Sequence, residues 1–173
     1  MGQYTNPAGT FVIAAAPGTS GVAQVETATI VGTITLDGTM ALTITAAGMT
    51  GSPLAVNVPV LNGDTATVSA AKAAVVLNNT PVVANAFVAS SSGASLILTA
   101  IGTLGGANDA TLNIAFTNGT CTGLTPNATS ANTTAGVLGV FRGVDAGSFL
   151  VDTTNKTVYK NTGTAYIPVW TLQ

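Results

Sequence analysis

Residues 61–117, LNGDTATVSAAKAAVVLNNTPVVANAFVASSSGASLILTAIGTLGGANDATLNIAFT, decide the fold. Thr65 through Leu77 contains neither Gly nor Pro and is rich in Ala, the best helix former. Asn62-Gly63-Asp64 precedes it as a turn, and Asp64 is placed to cap the first free N–H groups. Asn78-Asn79-Thr80-Pro81 ends it, because Asn tolerates the left-handed conformation and Pro cannot continue a helix. The sequence therefore predicts one helix over about 65–78. Val68, Ala71 and Val75 recur at a spacing of three to four, with Ala74 beside them, and are expected to face the core. Lys72 lies off that stripe and is expected to face water. So short a helix needs a sheet to pack on.

The flanks supply that sheet. After the helix, 86–90 and 94–100 read as a hairpin around a three-residue loop, Ser91-Ser92-Gly93, pairing Val88 with Leu96 and Phe87 with Ile97. A Gly-rich loop over 101–109 leads to a strand over 110–117 with Leu112, Ile114 and Phe116 inward. Before the helix, 25–36 alternates, with Ala28, Ile30, Ile34 and Leu36 on one face and Thr27, Thr29, Val31, Thr33 and Thr35 on the other. Residues 39–46 alternate likewise, with Met40, Leu42 and Ile44 inward. A loop of Leu36-Asp37-Gly38 is expected to join them as a hairpin, pairing Ile34 with Met40 and Ile30 with Ile44. Residues 54–60 form a strand that Pro59 marks as an edge or a bulge. The fold class is mainly β: a β-sandwich-like module with one packed helix.

Composition narrows the function classes. The chain has 173 residues, with four Lys plus Arg, six Asp plus Glu and a net charge of −2. Charged residues make up 6% of it, against about 25% in ordinary soluble domains. Lys72, Arg142, Lys156 and Lys160 are too scattered for nucleic-acid binding, which needs several phosphate neutralisations. So neutral a surface favours association and suits a protein working inside an assembly. Mean hydropathy is +0.53, yet Thr and Gly interrupt every apolar run before it reaches membrane-spanning length, so no membrane partner is expected. Phe11–Ala16 resembles the apolar part of a signal peptide but lacks a preceding Lys or Arg. The single Cys121 has no intramolecular partner and reads as a buried small hydrophobe.

The search for chemistry returns little. There is no His, the commonest general base. Glu26, Asp37, Asp64, Asp109, Asp145 and Asp152 show no catalytic spacing. Asp37 reads as a turn residue, and Asn108-Asp109 as a loop-shaping pair rather than a Ca²⁺ site. Gly102-Thr103-Leu104-Gly105-Gly106 lacks the Lys-Ser/Thr of a phosphate loop. No catalytic residue, cofactor or metal ligand is assigned, and an enzyme is not expected.

The chain divides into an extended arm (1–22), the β-rich module with its helix (23–136) and a small C-terminal β unit (137–173). In the last, Val137–Phe141 reads as a strand. Ser148–Asp152, Lys156–Lys160 and Thr164–Trp170 read as a meander, pairing Leu150 with Val158 and Asp152 with Lys156. Five of the nine aromatic residues lie from position 141 onward. They form either a small core or an interface, since aromatic anchors dominate interfaces. The candidate interface residues are Tyr4, Phe11, Val12 and Ile13 of the arm and Tyr159, Tyr166 and Trp170 of the C-terminal unit.

The runs GDTATVSAAKAAVVLN, VASSSGASLILTAIG and GGANDATLNIAFTNGT resemble a module of tailed-bacteriophage virion proteins, seen in tail sheath-like, baseplate and capsid-decorating proteins. FLVDTTNKTVYKNTGTAYIPVW resembles short terminal repeats of phage fibre and head-decoration proteins. The resemblance implies a non-enzymatic structural protein of the virion, first of all a decoration or cement protein on the outer capsid. The implied partners are other copies of itself, as a trimer, and the major capsid protein or other virion proteins. A tail component (tube, baseplate or fibre) or a host- or carbohydrate-binding module of a fibre is the alternative.

Overall fold

A computed structural model describes residues 3–6, 9–14, 20–139 and 144–173, the first two segments by their backbone alone. In chain order the strands are β1 (Gln3–Asn6), β2 (Gly9–Ala14), β3 (Val25–Thr29), β4 (Gly32–Leu36), β5 (Gly38–Thr45) and β6 (Leu54–Val60). Helices α1 (Ala66–Asn78) and α2 (Pro81–Ala84) follow. Then come β7 (Phe87–Ser92), β8 (Ser95–Ala100), β9 (Asn113–Thr117), β10 (Thr122–Leu124) and β11 (Ala131–Thr134). The last strands are β12 (Phe149–Asp152), β13 (Thr157–Asn161) and β14 (Trp170–Leu172). The fold is mainly β, as the alternating patterns predict.

Two sheets, ordered β11-β3-β8-β7 and β6-β5-β9, face each other over one core. Ala28, Phe87, Leu96 and Leu98 of the first meet Met40, Leu42, Ile44, Val58, Ile114 and Phe116 of the second. The predicted inward faces of 25–36 and 39–46 are thus inward, except that Leu36 is exposed. Their partners differ from expectation. Residues 36–38 do not make a hairpin loop: β4 pairs with β10, while β5 pairs with β6 and β9. Ile34 and Met40 therefore share the core without being strand neighbours. Two glycines let β4 and β10 lie in backbone contact. Gly32 has φ +112°, and a Cβ on it would stand 2.2 Å from the Gly123 carbonyl oxygen. A Cβ on Gly123 would stand 2.1 Å from the Thr33 oxygen. Period-two alternation suits a corner as well as a hairpin, so the pattern alone does not distinguish them.

The second hairpin exists with another register. Gly93, at φ +55°, and Ala94 form a two-residue turn, so Phe87 opposes Ala100 and Val88 opposes Thr99. This register keeps Phe87, Ala89 and Leu98 together inside; the expected one mixes faces.

Helix α1 closes the side of the sandwich between β6 and β7, touching both strands and β8. Its N-cap is Thr65, whose hydroxyl accepts from the Val68 N–H, one residue later than expected. Its buried face is Ser69, Ala70, Ala73, Ala74 and Leu77. The expected core stripe faces outward instead: Val68 is 40% and Val75 60% exposed. The helix is apolar nearly all round, so periodicity fits two stripes. The small side chains win the inner position because they let the helix lie close to the strands. Lys72 is half-buried and pairs with Asp64 at 2.5 Å, rather than standing free in water. At the far end, Asn78 uses its amide as an extra strand: its Nδ2 donates to the Ala89 oxygen (2.8 Å) and its Oδ1 accepts from the Ala89 N–H (2.9 Å). The outward backbone groups of Ala89, on the open edge of β7, are thereby satisfied.

Residues 3–6 and 9–14, within the segment read as an arm, form an antiparallel pair, and β2 runs parallel to β12. A five-stranded sheet β1-β2-β12-β13-β14 results. The meander register is one residue longer than expected: Leu150 opposes Tyr159 and Asp152 opposes Thr157. The cause is Asp152, whose buried carboxylate accepts from the Thr154 and Asn155 N–H groups and the Asn155 side chain, and so fixes a four-residue turn. The expected strand over 164–170 reduces to Trp170–Leu172, because the chain loops out after Asn161. Buried Asn161 holds that loop by donating to the Val144 oxygen (2.7 Å) and accepting from the Gly163 and Val169 N–H groups (3.0 Å each). Of the expected strand 137–141, Val137 bridges Val22, and Val140 and Phe141 lie outside the described residues.

The buried Ser69 hydroxyl on α1 has no hydrogen-bond partner. Ser69→Ala removes an unsatisfied group and improves helix propensity, so it is expected to raise stability by about 1 kcal/mol. A urea midpoint that fell would contradict this reading. Asn161→Ala strands three backbone groups and is expected to cost about 2 kcal/mol or more, measured as a lower melting temperature of the C-terminal unit.

Candidate functional site

The acids that sequence reading leaves isolated are each placed by the fold. Asp37 accepts from the Asn62 N–H (2.6 Å), tying the β4–β5 corner to the turn before α1. Asp64 accepts from the Leu61 N–H (2.8 Å) and from Lys72. The Lys72 hydrogen bond holds the Asp64 carboxyl below its ordinary range. Asp109 accepts from the Ala47 N–H (2.6 Å), the Thr111 N–H (2.8 Å) and the Thr111 hydroxyl (2.6 Å). Burial pushes its carboxyl up, but these bonds outweigh burial and hold it below the ordinary range. It is a loop-shaping residue, as expected.

Glu26 is different. It lies on the inner face of β3 and is 2% exposed. One oxygen accepts from the Ser130 hydroxyl, and the other has no partner. Ser130 in turn accepts from the Ile114 N–H (2.9 Å), and its own N–H donates to Asn113 Oδ1 (2.9 Å). The unit stitches the segment before β11 onto β3 and β9. Burial raises the Glu26 pKa, the Ser130 bond offsets part of that, and the nearby Asp109 charge adds to it. A cavity of about 230 Å³ is lined by Gln24, Phe87, Ala100, Leu104, Asp109 and Leu112 among others, and Glu26 is not in its wall. Gln24 spends its amide on the Asp109 backbone, donating to the oxygen (2.9 Å) and accepting from the N–H (2.7 Å). The cavity wall is thus mostly apolar, and the Gln24 amide and Asp109 carboxylate in it are already paired. Among the described residues no group of three or more Cys, Asp and Glu side chains is placed to hold a metal ion.

The candidate interface residues separate. Trp170, 8% exposed, packs with Val144 and Leu150, and Tyr159 packs against them. These form the core of the C-terminal unit rather than a free surface. Tyr166 is exposed. The side chains of Tyr4, Phe11, Val12 and Ile13 lie outside the described residues. Cys121 is buried, as expected, with its thiol donating to the Asn118 oxygen (2.8 Å) and its pKa raised by burial.

One surface escaped sequence reading. Between β6 and α1 runs an open apolar groove of about 530 Å³, formed by Pro59, Leu61, Ala71, Lys72, Val75 and Val76. Its residues stand in the sequence, but the α1 stripe has the spacing of a core face. Pro59, as an edge marker, was the signal for where it lies.

Compared with known proteins, the chain matches no family model and no curated protein.

Folding raises the Glu26 pKa, so the folded chain binds that proton more tightly than the unfolded one. The cost of burying the carboxylate is absent below the ordinary carboxyl range and appears as pH rises through the raised value. Glu26→Gln is therefore expected to gain stability on the wild type as the pH rises from about 4 to neutrality. Urea unfolding at both pH values measures it; an unchanged difference between the two proteins would refute the assignment.

Proposed function

We propose that this chain is a non-enzymatic structural protein of a tailed-phage particle, acting as a capsid decoration or cement protein. The observation that carries the proposal is the surface. A mainly β module shows water almost no charge and covers its outer faces with hydroxyls. Thr27 meets Thr133 (3.0 Å), Thr35 meets Thr122 (2.9 Å), and Thr39 meets Thr120 (3.0 Å). Such a surface associates through backbone pairing and apolar burial rather than through ion pairs. The phage-like runs occupy α1, β7, β8 and β9, which build the module's core, and the second such run spans β12 to β14.

In this reading the mechanism is passive. Subunits, as trimers on local three-fold axes, staple neighbouring capsomers together. Of the C-terminal aromatics that would serve the carbohydrate-binding alternative, Trp170 packs in the C-terminal core and Tyr166 is exposed.

A cryo-electron-microscopy map of the particle containing this chain tests the proposal. Density in threes between capsomers on the outer lattice is the expected result. Density confined to the tail, with six-fold or fibre symmetry, overturns the decoration role and moves the chain to the tail reading.

A further inference from the structure

The sandwich has two lateral edges beside α1, and they are treated differently. At β7, Asn78 occupies the free backbone groups of Ala89. At β6 no side chain among the described residues does so. The direction of the β6 groups follows from Thr39, which opposes Pro59. The Thr39 N–H donates to the Thr120 hydroxyl, and its oxygen accepts from the Thr120 and Cys121 N–H groups. Thr39 thus turns its polar groups away from β6, so Pro59 is a non-hydrogen-bonded position and turns its own outward. Alternation then turns the N–H and C=O of Asn57 and Ala55 outward too. Val56, Val58 and Val60 are buried, whereas Ala55, Asn57 and Pro59 are exposed.

The open edge meets the apolar groove at Pro59, and Ala71 and Val75 of the outward α1 stripe form the groove's other wall. A strand edge beside an apolar helix face is the arrangement that accepts an added strand. We infer that this surface receives a second copy of the same chain, β6 against β6 across a two-fold axis. Three observations favour that occupant. First, the edge is self-complementary. With Val56 on the axis, Ala55 of each copy faces Asn57 of the other, giving four backbone hydrogen bonds. Beyond those pairs the ladder stops, because Pro59 and Pro53 carry no N–H to extend it. Second, the prolines bound the ladder at both ends, so the pairing closes as a pair and does not propagate. Third, the surface is neutral. Its one cation, Lys72, is already matched by Asp64 of its own chain, so two copies meet without like-charge repulsion and a charged partner finds nothing to pair with. The joined sheet has six strands, β9-β5-β6 and their mates, with both α1 stripes covered on one side. The contact does not depend on the virion reading. It doubles whatever oligomer the other surfaces build.

The test is the mass of the purified full chain by light scattering and sedimentation over a concentration series. Val75→Arg charges the helix stripe, and Asn57→Pro deletes an outward N–H at the ladder. Both sites are exposed, and folding of each variant is checked by its circular dichroism and melting. The wild type is expected to reach twice the mass of either variant, with the association midpoint of the variants raised by at least about tenfold. Val31→Arg, at an exposed site away from the groove, is expected to keep the wild-type mass. If either folded variant associates like the wild type, or if the wild type never exceeds the variants' mass, the inference is overturned, whatever a particle map shows.

Discussion

The structure depends on how closely backbones approach one another. Ala70, Ala73 and Ala74 bring α1 onto the strands, and Gly32 and Gly123 let β4 and β10 cross in backbone contact. With small side chains the two sheets and the helix share one continuous core built mainly from Ala, Val, Ile and Leu. Dispersion across such a core is gained through many short contacts rather than a few large aromatic ones. Phe87 and Phe116 are the large exceptions, both fully buried.

The same economy governs the polar groups. With ten charged residues in 173, the chain satisfies its loops and corners through Asn, Asp, Ser and Thr acting on the backbone. Asn78 completes an edge strand, Asn161 holds a long loop, Asp152 sets a turn and Asp109 anchors a loop to Ala47. Glu26 departs from this pattern, because one of its oxygens is buried without a partner.

Faces were legible in the sequence; partners were not. Alternation placed Ala28, Ile30, Ile34, Met40, Leu42 and Ile44 inside, because a period of two fixes which side chains share a face. It does not say which strand lies alongside, and the β4–β5 corner carries the same pattern as a hairpin. The helix was legible in extent because Ala content and stop signals are local. Its inner face was not, because a helix apolar nearly all round offers two stripes, and packing distance rather than hydrophobicity chooses between them. The meander register shifted by one residue because Asp152 bonds its own turn, which counting loop residues does not show. The groove beside β6 is illegible for the same reason, because Val68 and Val75 have the spacing of a core stripe yet lie exposed.

The five-stranded sheet joins residues separated by most of the chain: β2, at Gly9–Ala14, lies beside β12, at Phe149–Asp152. On the ribosome that pairing waits until the later strand has emerged. The sandwich can close meanwhile, since β3 to β11 supply its core. Closing the long loop carries an entropy cost that rises only slowly with its length, but it delays the contact. For that interval β2 presents an unpaired flank beside the growing chain. Synthesis from β2 to β12 takes on the order of ten seconds, long enough for that flank to meet the β12 of another copy. Assembly between neighbouring nascent chains thus competes in time with closure within one.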